Sequence, residues 1–456
     1  MDAAKIREVI QKHRVFFATG KTRDLSFRQE QLRTLKKMVR ANESAILEAL
    51  RLDLNRPALE GYGGDVAVVI NEIDHALKHL SCWAKPRRVR TPIALFPARS
   101  RVLREPYGLA LIIAPWNFPF QLTFAPLVGA IAAGNCALLK PPMAAPHSEK
   151  LIAKLVRTYF DPAYISVVEG GAETADALLA ERFDYIFFTG GPATGKRVME
   201  AAAKYLTPLT LELGGKNPCI VDTDCEIDYA TRRIVWGKFF NAGQSCMAVD
   251  YLLVDRRIRQ TLLDRIAQVI IEFYGADPER SPDYGRIVNE GHFTRLVRLM
   301  DGCRIVVGGQ TNPASRYIAP TVLEGVSMTA PIMEEEIFGP LLPVIEYDDI
   351  TQAIGIANTR PRPLALYFFS RDRTKQEQVL REIPTGGGCI NDTVVHETAG
   401  LPFGGVGESG MGRYHGRASF DTFSYERSVV TNTFLFDIKL RYPPYAGKLK
   451  WIRKLF

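Results

Sequence analysis

Apolar runs that alternate with helical patterns between residues 109 and 213 constrain this chain more than any other feature. The runs cover 109–114, 136–140, 165–168, 185–189 and 209–213, with helical stretches at 121–133, 148–159, 172–181 and 193–205. A strand that is apolar on both faces must be covered on both faces. Strands alternating with helices meet that demand as a parallel sheet with helices packed on each side. Doubly wound sheets of this kind bind ligands in the crevice beyond the carboxyl ends of their strands. The alternation resumes from Cys219 to about Ile390. The expected fold class is therefore α/β: two doubly wound Rossmann-like domains with a small extended bridging or oligomerisation element.

The other segments read differently. Residues 1–84 are helical, with Ser26 placed to cap a helix over 27–40 and further helices over 43–50 and 66–80. The last carries His75 and His79 one turn apart. No Glu lies between them in the H-E-x-x-H sense, so an exposed helical face is expected and no metal. Residues 84–105, with Pro86, Pro92, Pro97 and interspersed Arg, suit an arm or edge strand. The expected division is 1–84 with 106–213 as one α/β domain and 214–396 as the second, hinged at Gly214-Gly215. Residues 85–105 and 397–436 form the arm, and 437–456 a basic tail. Leu449, Ile452 and Leu455 alternate there with Lys448, Lys450, Arg453 and Lys454. That pattern fits a short amphipathic helix on a membrane surface or a neighbouring subunit, and fits a frayed terminus equally well.

The formal net charge of +8 over 456 residues is spread rather than striped, so nucleic acid is not an expected partner. Seven cysteines, an odd number without a C-x-x-C pair, argue against a disulfide framework or zinc knuckle and for a reducing compartment. The N-terminus has no apolar core of a signal peptide and the chain no long apolar run, which points to the cytoplasm.

Several short segments carry candidate chemistry. In Phe239-Phe240-Asn241-Ala242-Gly243-Gln244-Ser245-Cys246 a thiol ends a Gly-containing turn, a setting that suits a nucleophile and also a small buried side chain. In 207–216, Leu209, Leu211 and Leu213 share one face of a strand while Thr210 and Glu212 share the other. Glu212 is thus a candidate general base or a salt-bridged surface group. Asn117, within Pro115-Trp116-Asn117-Phe118-Pro119, could donate to an oxyanion or serve a turn. Gly190-Gly191-Pro192-Ala193-Thr194-Gly195-Lys196 follows a strand and opens a helix, which suits a pyrophosphate and equally an ordinary tight strand-to-helix turn. As a nucleoside triphosphatase loop it is a weak match, because Arg197 stands where a Mg²⁺-binding Ser or Thr is needed. Gly405 to Gly410 matches G-x-G-x-x-G literally but lacks a leading strand, and reads as a structural loop. The acidic and aromatic turn 333–340 could bind ribose or lie solvated. Trp116, Phe118, Trp236 and Phe240 could line an apolar tunnel or belong to the core.

Taken in order, WNFP, Lys140-Pro141, FTGGPATG, LELGGK, GQSC, EEIFGP and PFGGVGESGMGRYHG resemble the aldehyde dehydrogenase superfamily along essentially the whole chain. The short N-terminus and the ending from Pro402 to Val430 resemble its class 3 branch of fatty and aromatic aldehyde dehydrogenases. The resemblance implies NAD(P)-dependent oxidation of medium- or long-chain aliphatic or aromatic aldehydes, with the first domain binding the dinucleotide and the second catalytic. It implies Cys246 as nucleophile, Asn117 and the Cys246 backbone N–H as oxyanion hole, and Glu212 as base. Lys140 would contact the adenosine ribose, and Gly190, Gly191 and Gly195 would meet the pyrophosphate. Glu336 and Phe338 would hold the nicotinamide ribose and ring, with Trp116 and Leu213 beside the cofactor. A homodimer and a small-molecule aldehyde are the implied partners. Two departures stand out. Where the family often has Lys-Pro-Ser-Glu, this chain has Lys140-Pro141-Pro142-Met143. A carboxylate at that position would repel a 2′-phosphate, so Met143 predicts that NADP is accepted. Gly191 stands where the family usually has Ser. The competing expectations are a CoA-acylating relative, against which Glu212 argues, and a catalytically inactive structural relative.

Overall fold

The computed structural model describes residues 3–453. Among them the first sheet has six strands, in the order Gly410–Met411, Leu209–Glu212, Tyr185–Thr189, Leu109–Ile113, Cys136–Lys140, Ile165–Val167. All neighbours are parallel except the edge strand Gly410–Met411. Every residue of Leu109–Ile113, Cys136–Lys140 and Tyr185–Thr189 is buried, as strands apolar on both faces require. The strand order reverses between Leu109–Ile113 and Tyr185–Thr189. The loops that follow these two strands therefore open onto one crevice.

Helix Pro119–Ala133 is buried along its whole length, which accounts for a sequence that is apolar all round. Helices Leu25–Ala41, Val68–Trp83 and Gly416–Thr422 pack on it. Leu25–Ala41 is capped by Asp24 rather than by Ser26. The Asp24 carboxylate accepts the Ser26 N–H at 2.7 Å and the Ser26 hydroxyl at 2.8 Å, so the expected cap is itself held by the residue two places earlier.

The second sheet has seven strands among the described residues, ordered Arg304–Val307, Thr321–Glu324, Leu341–Tyr347, Tyr251–Asp255, Pro218–Val221, Ala365–Phe369, Gly387–Ile390. Only the edge strand Arg304–Val307 runs antiparallel. This sheet has its own apolar core. A third, antiparallel sheet joins Arg87–Val89, Arg99–Pro106 and Ser424–Thr431, the last two in register from Arg99 opposite Thr431 to Pro106 opposite Ser424.

Two expectations for the C-terminal third are corrected. Residues 397–423 do not belong to an arm. Phe403, Tyr414, Phe420 and Phe423 are buried in the core of the first sheet, and only Ser424–Thr431 extends outward. Large aromatic side chains draw such a Gly-rich segment inward. In the tail, Leu449–Ile452 makes a single helical turn, shorter than the amphipathic helix expected, and Lys454 and Leu455 lie outside the described residues. No helix among the described residues is long and apolar enough to cross a membrane.

Candidate active site

Two cavities meet at one thiol. A cavity of about 320 Å³ lies between the sheets, lined by Trp116, Asn117, Gly190, Gly191, Leu213, Glu336 and Phe338 among others. A second, of about 390 Å³, is lined by Phe118, Trp236, Phe240, Phe403 and Tyr414 with Glu60, Gln121 and Glu397. Both are also lined by Thr189, Glu212 and Cys246.

Cys246 follows a strained loop. After helix Ile227–Phe239 the chain takes left-handed backbone at Asn241 and Ala242 (φ 52° each) and at Gly243 (φ 73°). A Cβ on Gly243 would stand 2.3 Å from the Gly339 carbonyl oxygen, so the close approach demands glycine. Side-chain amides hold the loop. Gln244 Nε2 donates to the carbonyls of Asn241 (3.0 Å) and Arg286 (2.9 Å), and its Oε1 accepts the Val288 N–H (3.0 Å). Asn241 Nδ2 donates to the carbonyls of Asn117 and Gln244, both at 3.1 Å. Asn217 Nδ2 donates to the Cys246 carbonyl at 2.7 Å.

A buried guanidinium ties this loop to the first domain. Arg56 pairs with Asp65, donates to the Asn117 carbonyl, and reaches Asn241 Oδ1 through Nε at 3.1 Å. It lies 4.5 Å from the centre of the Phe118 ring. Asp65 in turn accepts the N–H groups of Phe120 (2.9 Å) and Gln121 (3.0 Å) at the start of helix Pro119–Ala133. Breaking such a buried pair from one side typically costs about 3–5 kcal/mol. Asp65 sits on a π-helical turn, Tyr62–Ala67, whose Gly63 and Gly64 line the second cavity. Turns of this type cluster at functional sites.

Asn117 Nδ2 donates to the Gln244 carbonyl at 3.2 Å, and its buried Oδ1 has no hydrogen-bond partner. Glu212 is buried with both carboxyl oxygens unpartnered. The alternation in its strand suggested a side chain clear of the apolar layer. The edge strand Gly410–Met411 and the second cavity enclose it instead. Burial drives its pKa well above the usual carboxylate value, with His415 and Arg413 opposing. Burial also pushes the Cys246 thiol well above its usual value, and Glu336, Glu397 and Glu212 push the same way.

The turn bearing Glu336 and Phe338 is fastened from the second domain. Lys216 pairs with Asp250 and donates to the carbonyls of Ile332 (2.8 Å) and Glu335 (2.9 Å), while Asp250 accepts the Ile337 N–H (2.8 Å). Burial, then Asp250, lifts Glu336 to about 8, with the Gly215 N–H and Lys216 opposing. Its Oε1 is buried without a partner. A Cβ on Gly214 would fall 2.0 Å from Glu336 Oε2, so only glycine lets this carboxylate into the cleft. Phe338 stands edge-on to Trp116, ring centres 5.4 Å apart.

These features fit a dinucleotide. A Cβ on Gly191 would meet nothing, which leaves open space before the N-terminus of helix Pro192–Ala203, where backbone N–H groups favour phosphate. The unpartnered Glu336 oxygen is an acceptor for a ribose hydroxyl. Lys140 and Gly195 are not among the lining residues of this cavity. The Lys140 ammonium donates to the Pro141 carbonyl at 2.7 Å, and Gly195 gives room to Leu213, whose Cδ2 lies 2.7 Å from where a Cβ would stand. Among the aromatic residues suggested for a tunnel, Phe118, Trp236 and Phe240 line the second cavity and Trp116 the first.

The sequence reading missed Arg56, Asp65, Glu60 and Glu397. No local pattern marks them, since each acts through residues distant in the chain. The run of left-handed residues before Cys246 was partly signalled by Asn241 and Gly243, two residue types that tolerate it.

The profile of the aldehyde dehydrogenase family matches residues 1–429. The chain is 47% identical over 446 residues to "4,4'-diaponeurosporen-aldehyde dehydrogenase" of Staphylococcus aureus, covering 97% of each chain. It is 44% identical over 449 residues to "Aldehyde dehydrogenase, dimeric NADP-preferring" of Canis lupus familiaris, covering 98% of this chain and 99% of that one. The solved "Substrate bound state of Staphylococcus Aureus AldH" superposes with a TM-score of 0.97 at 46% identity, over 99% of each chain.

Proposed function

Since this chain belongs to the aldehyde dehydrogenase family and uses NAD or NADP, we propose that it oxidises medium- or long-chain aliphatic or aromatic aldehydes to carboxylic acids through a thioester on Cys246. The observation that carries this reading is the meeting of the two cavities at Cys246 and Glu212. The aldehyde enters by the aromatic cavity and the cofactor by the other, with Glu336 and Phe338 at its nicotinamide end.

Cys246 loses its proton, and the sulfur adds to the aldehyde carbon. The oxygen becomes an alkoxide that accepts from Asn117 Nδ2 and the Cys246 backbone N–H. When bound, the nicotinamide of NAD or NADP supplies the hydride acceptor. The alkoxide collapses to a carbonyl as the hydrogen on that carbon leaves with its electron pair, and a thioester remains on Cys246. Glu212 removes a proton from water, the oxygen attacks the thioester carbon, and the acid leaves as the sulfur is released. The unpartnered oxygens of Glu212 suit a group whose partner is a transient water.

Asn117→Ala is expected to lower kcat by about 10²–10³, the usual effect of deleting one oxyanion donor. Steady-state rates with a saturating aldehyde check this, and a change below threefold would remove Asn117 from the oxyanion site. Met143 is exposed beside Gly171, 3.0 Å from where a Cβ there would stand, with no carboxylate to repel a 2′-phosphate. NADP is therefore expected to support turnover with a kcat/KM within tenfold of NAD. A preference for NAD beyond about a hundredfold would refute it, and Met143→Glu should shift the ratio toward NAD.

We further propose that the protein works as a homodimer in the cytoplasm. The outer edge of Ser424–Thr431 is an open sheet edge with exposed Val430, and Phe434 and Leu435 follow it. Seven cysteines, an odd number without a C-x-x-C pair, suit a reducing compartment.

A further inference from the structure

The aromatic cavity contains a carboxylate that aldehyde oxidation through Cys246 does not require. Glu397 lies on its wall with Phe403 and Tyr414, in the same cavity as Cys246. Three donors converge on one of its oxygens. Gln121 Nε2 donates to Oε1, the Tyr414 hydroxyl reaches it at 3.3 Å, and His415 Nε2 lies 3.0 Å away. None of these bonds goes to Oε2, and the side chain keeps 12% of its surface exposed. Oε1 is thus fixed by the protein, while Oε2, on a side chain that lines the cavity, is left free of these bonds.

The charge around Glu397 is held in place. His415 Nδ1 faces Glu72 at 3.2 Å while Nε2 faces Glu397. Burial opposes charge on this imidazole, but the two carboxylates win and lift it to about 9. Glu72 also accepts the Gly416 N–H at 2.6 Å, which locks the stack to the backbone. Glu60, on the same cavity, is pushed up by burial to about 7. An apolar chain laid against Glu397 would strip water from Oε2 and give nothing back. A donor placed there would complete its hydrogen bonds.

We infer that, among the aliphatic and aromatic aldehydes of the proposed reaction, Glu397 makes this cavity favour those that carry a hydrogen-bond donor, a hydroxyl or an ammonium, near the carbonyl carbon. This rests on the proposed role of Cys246 as nucleophile. The carbonyl is fixed at Cys246, and Glu397 lines the same confined space. The exposed Leu59 and Trp236 mark the cavity's mouth. Glu397 is near enough to act on the charge of both Cys246 and Glu212, so a donor that reaches Oε2 stands close to the aldehyde carbon.

The test is a set of equal-sized aldehydes: butanal, 3-hydroxypropanal and 3-aminopropanal. Initial rates of cofactor reduction give kcat/KM for wild type, Glu397→Gln and Glu397→Leu. Wild type should favour a donor-bearing member over its apolar counterpart by about 10- to 100-fold, the scale of a hydrogen bond to a charged group. Glu397→Leu should reverse that order. Glu397→Gln should keep a hydroxyl preference and lose an ammonium preference, which tells the two donors apart. Equal wild-type rates for polar and apolar members would overturn the inference. So would a Glu397→Leu enzyme that loses all members by one common factor, since that marks Glu397 as only a brace for His415. A wild-type enzyme inactive on every aldehyde would overturn the parent reading and this one with it.

Discussion

Cys246→Ser is expected to stop aldehyde oxidation while cofactor binding stays at the wild-type level. Removal of a covalent nucleophile costs on the order of 10⁶ in kcat where it has been measured. A serine hydroxyl in this buried, carboxylate-rich setting has no means of ionising. Cofactor reduction followed by absorbance, with cofactor affinity measured by fluorescence titration, gives both quantities. The informative control is Cys389, which has a histidine partner that Cys246 lacks: its sulfur lies 3.6 Å from His396 Nδ1. Cys389 nonetheless lies on neither cavity, and Cys389→Ser should keep near-normal turnover. If Cys389→Ser were the inactive variant, the site would have to be redrawn around it.

Glu212→Gln should separate the two halves of the reaction. The amide cannot take a proton from water, so hydrolysis should slow by about 10²–10⁴, the range of general-base contributions. The first turnover needs no attacking water. Rapid mixing should therefore show a burst of reduced cofactor near one per Cys246, followed by a slow steady state. A variant that loses the burst and the steady state equally would place Glu212 in thiol activation instead. The pH dependence follows from the same environment. The working forms are the Glu212 carboxylate and the Cys246 thiolate, and burial lifts both groups above their ordinary values. The thiolate is therefore scarce at neutral pH, and kcat/KM should climb as pH rises from about 7 toward 9, while the raised Glu212 moves the rise of the hydrolysis-limited kcat to higher pH than an ordinary carboxylate gives. In Glu212→Gln the Glu212 contribution to the steady-state profile should vanish.

Much of this was written in the sequence, for reasons that differ by element. Strands such as Leu109–Ile113 and Tyr185–Thr189 are legible because burial on both faces leaves an uninterrupted apolar run. Cys246, Asn117 and Glu212 sit at loop or strand ends inside recognisable local patterns, and the structure brings all three to one cleft. What was illegible depends on long-range closure. Burial of Glu212 comes from a strand two hundred residues further along, Gly410–Met411, whose two residues carry no strand signal. Residues 397–423 looked like an arm because their glycines imitate a loop, and only their aromatic side chains betray the core they enter. Glu397 reads in sequence as one more surface acid. Its meaning lies in three partners at positions 121, 414 and 415.

The buried Arg56 has a consequence for when this protein becomes an enzyme. Its guanidinium joins a segment made early in synthesis to the backbone at Asn117 and to the side chain of Asn241. A chain cut before residue 241 lacks one of the groups that Arg56 holds, and leaves its charge with only part of its retinue. The thiol-bearing loop in turn takes part of its support from that guanidinium through Asn241. The site is therefore complete only when three stretches of chain, far apart in sequence, stand together around a single cation.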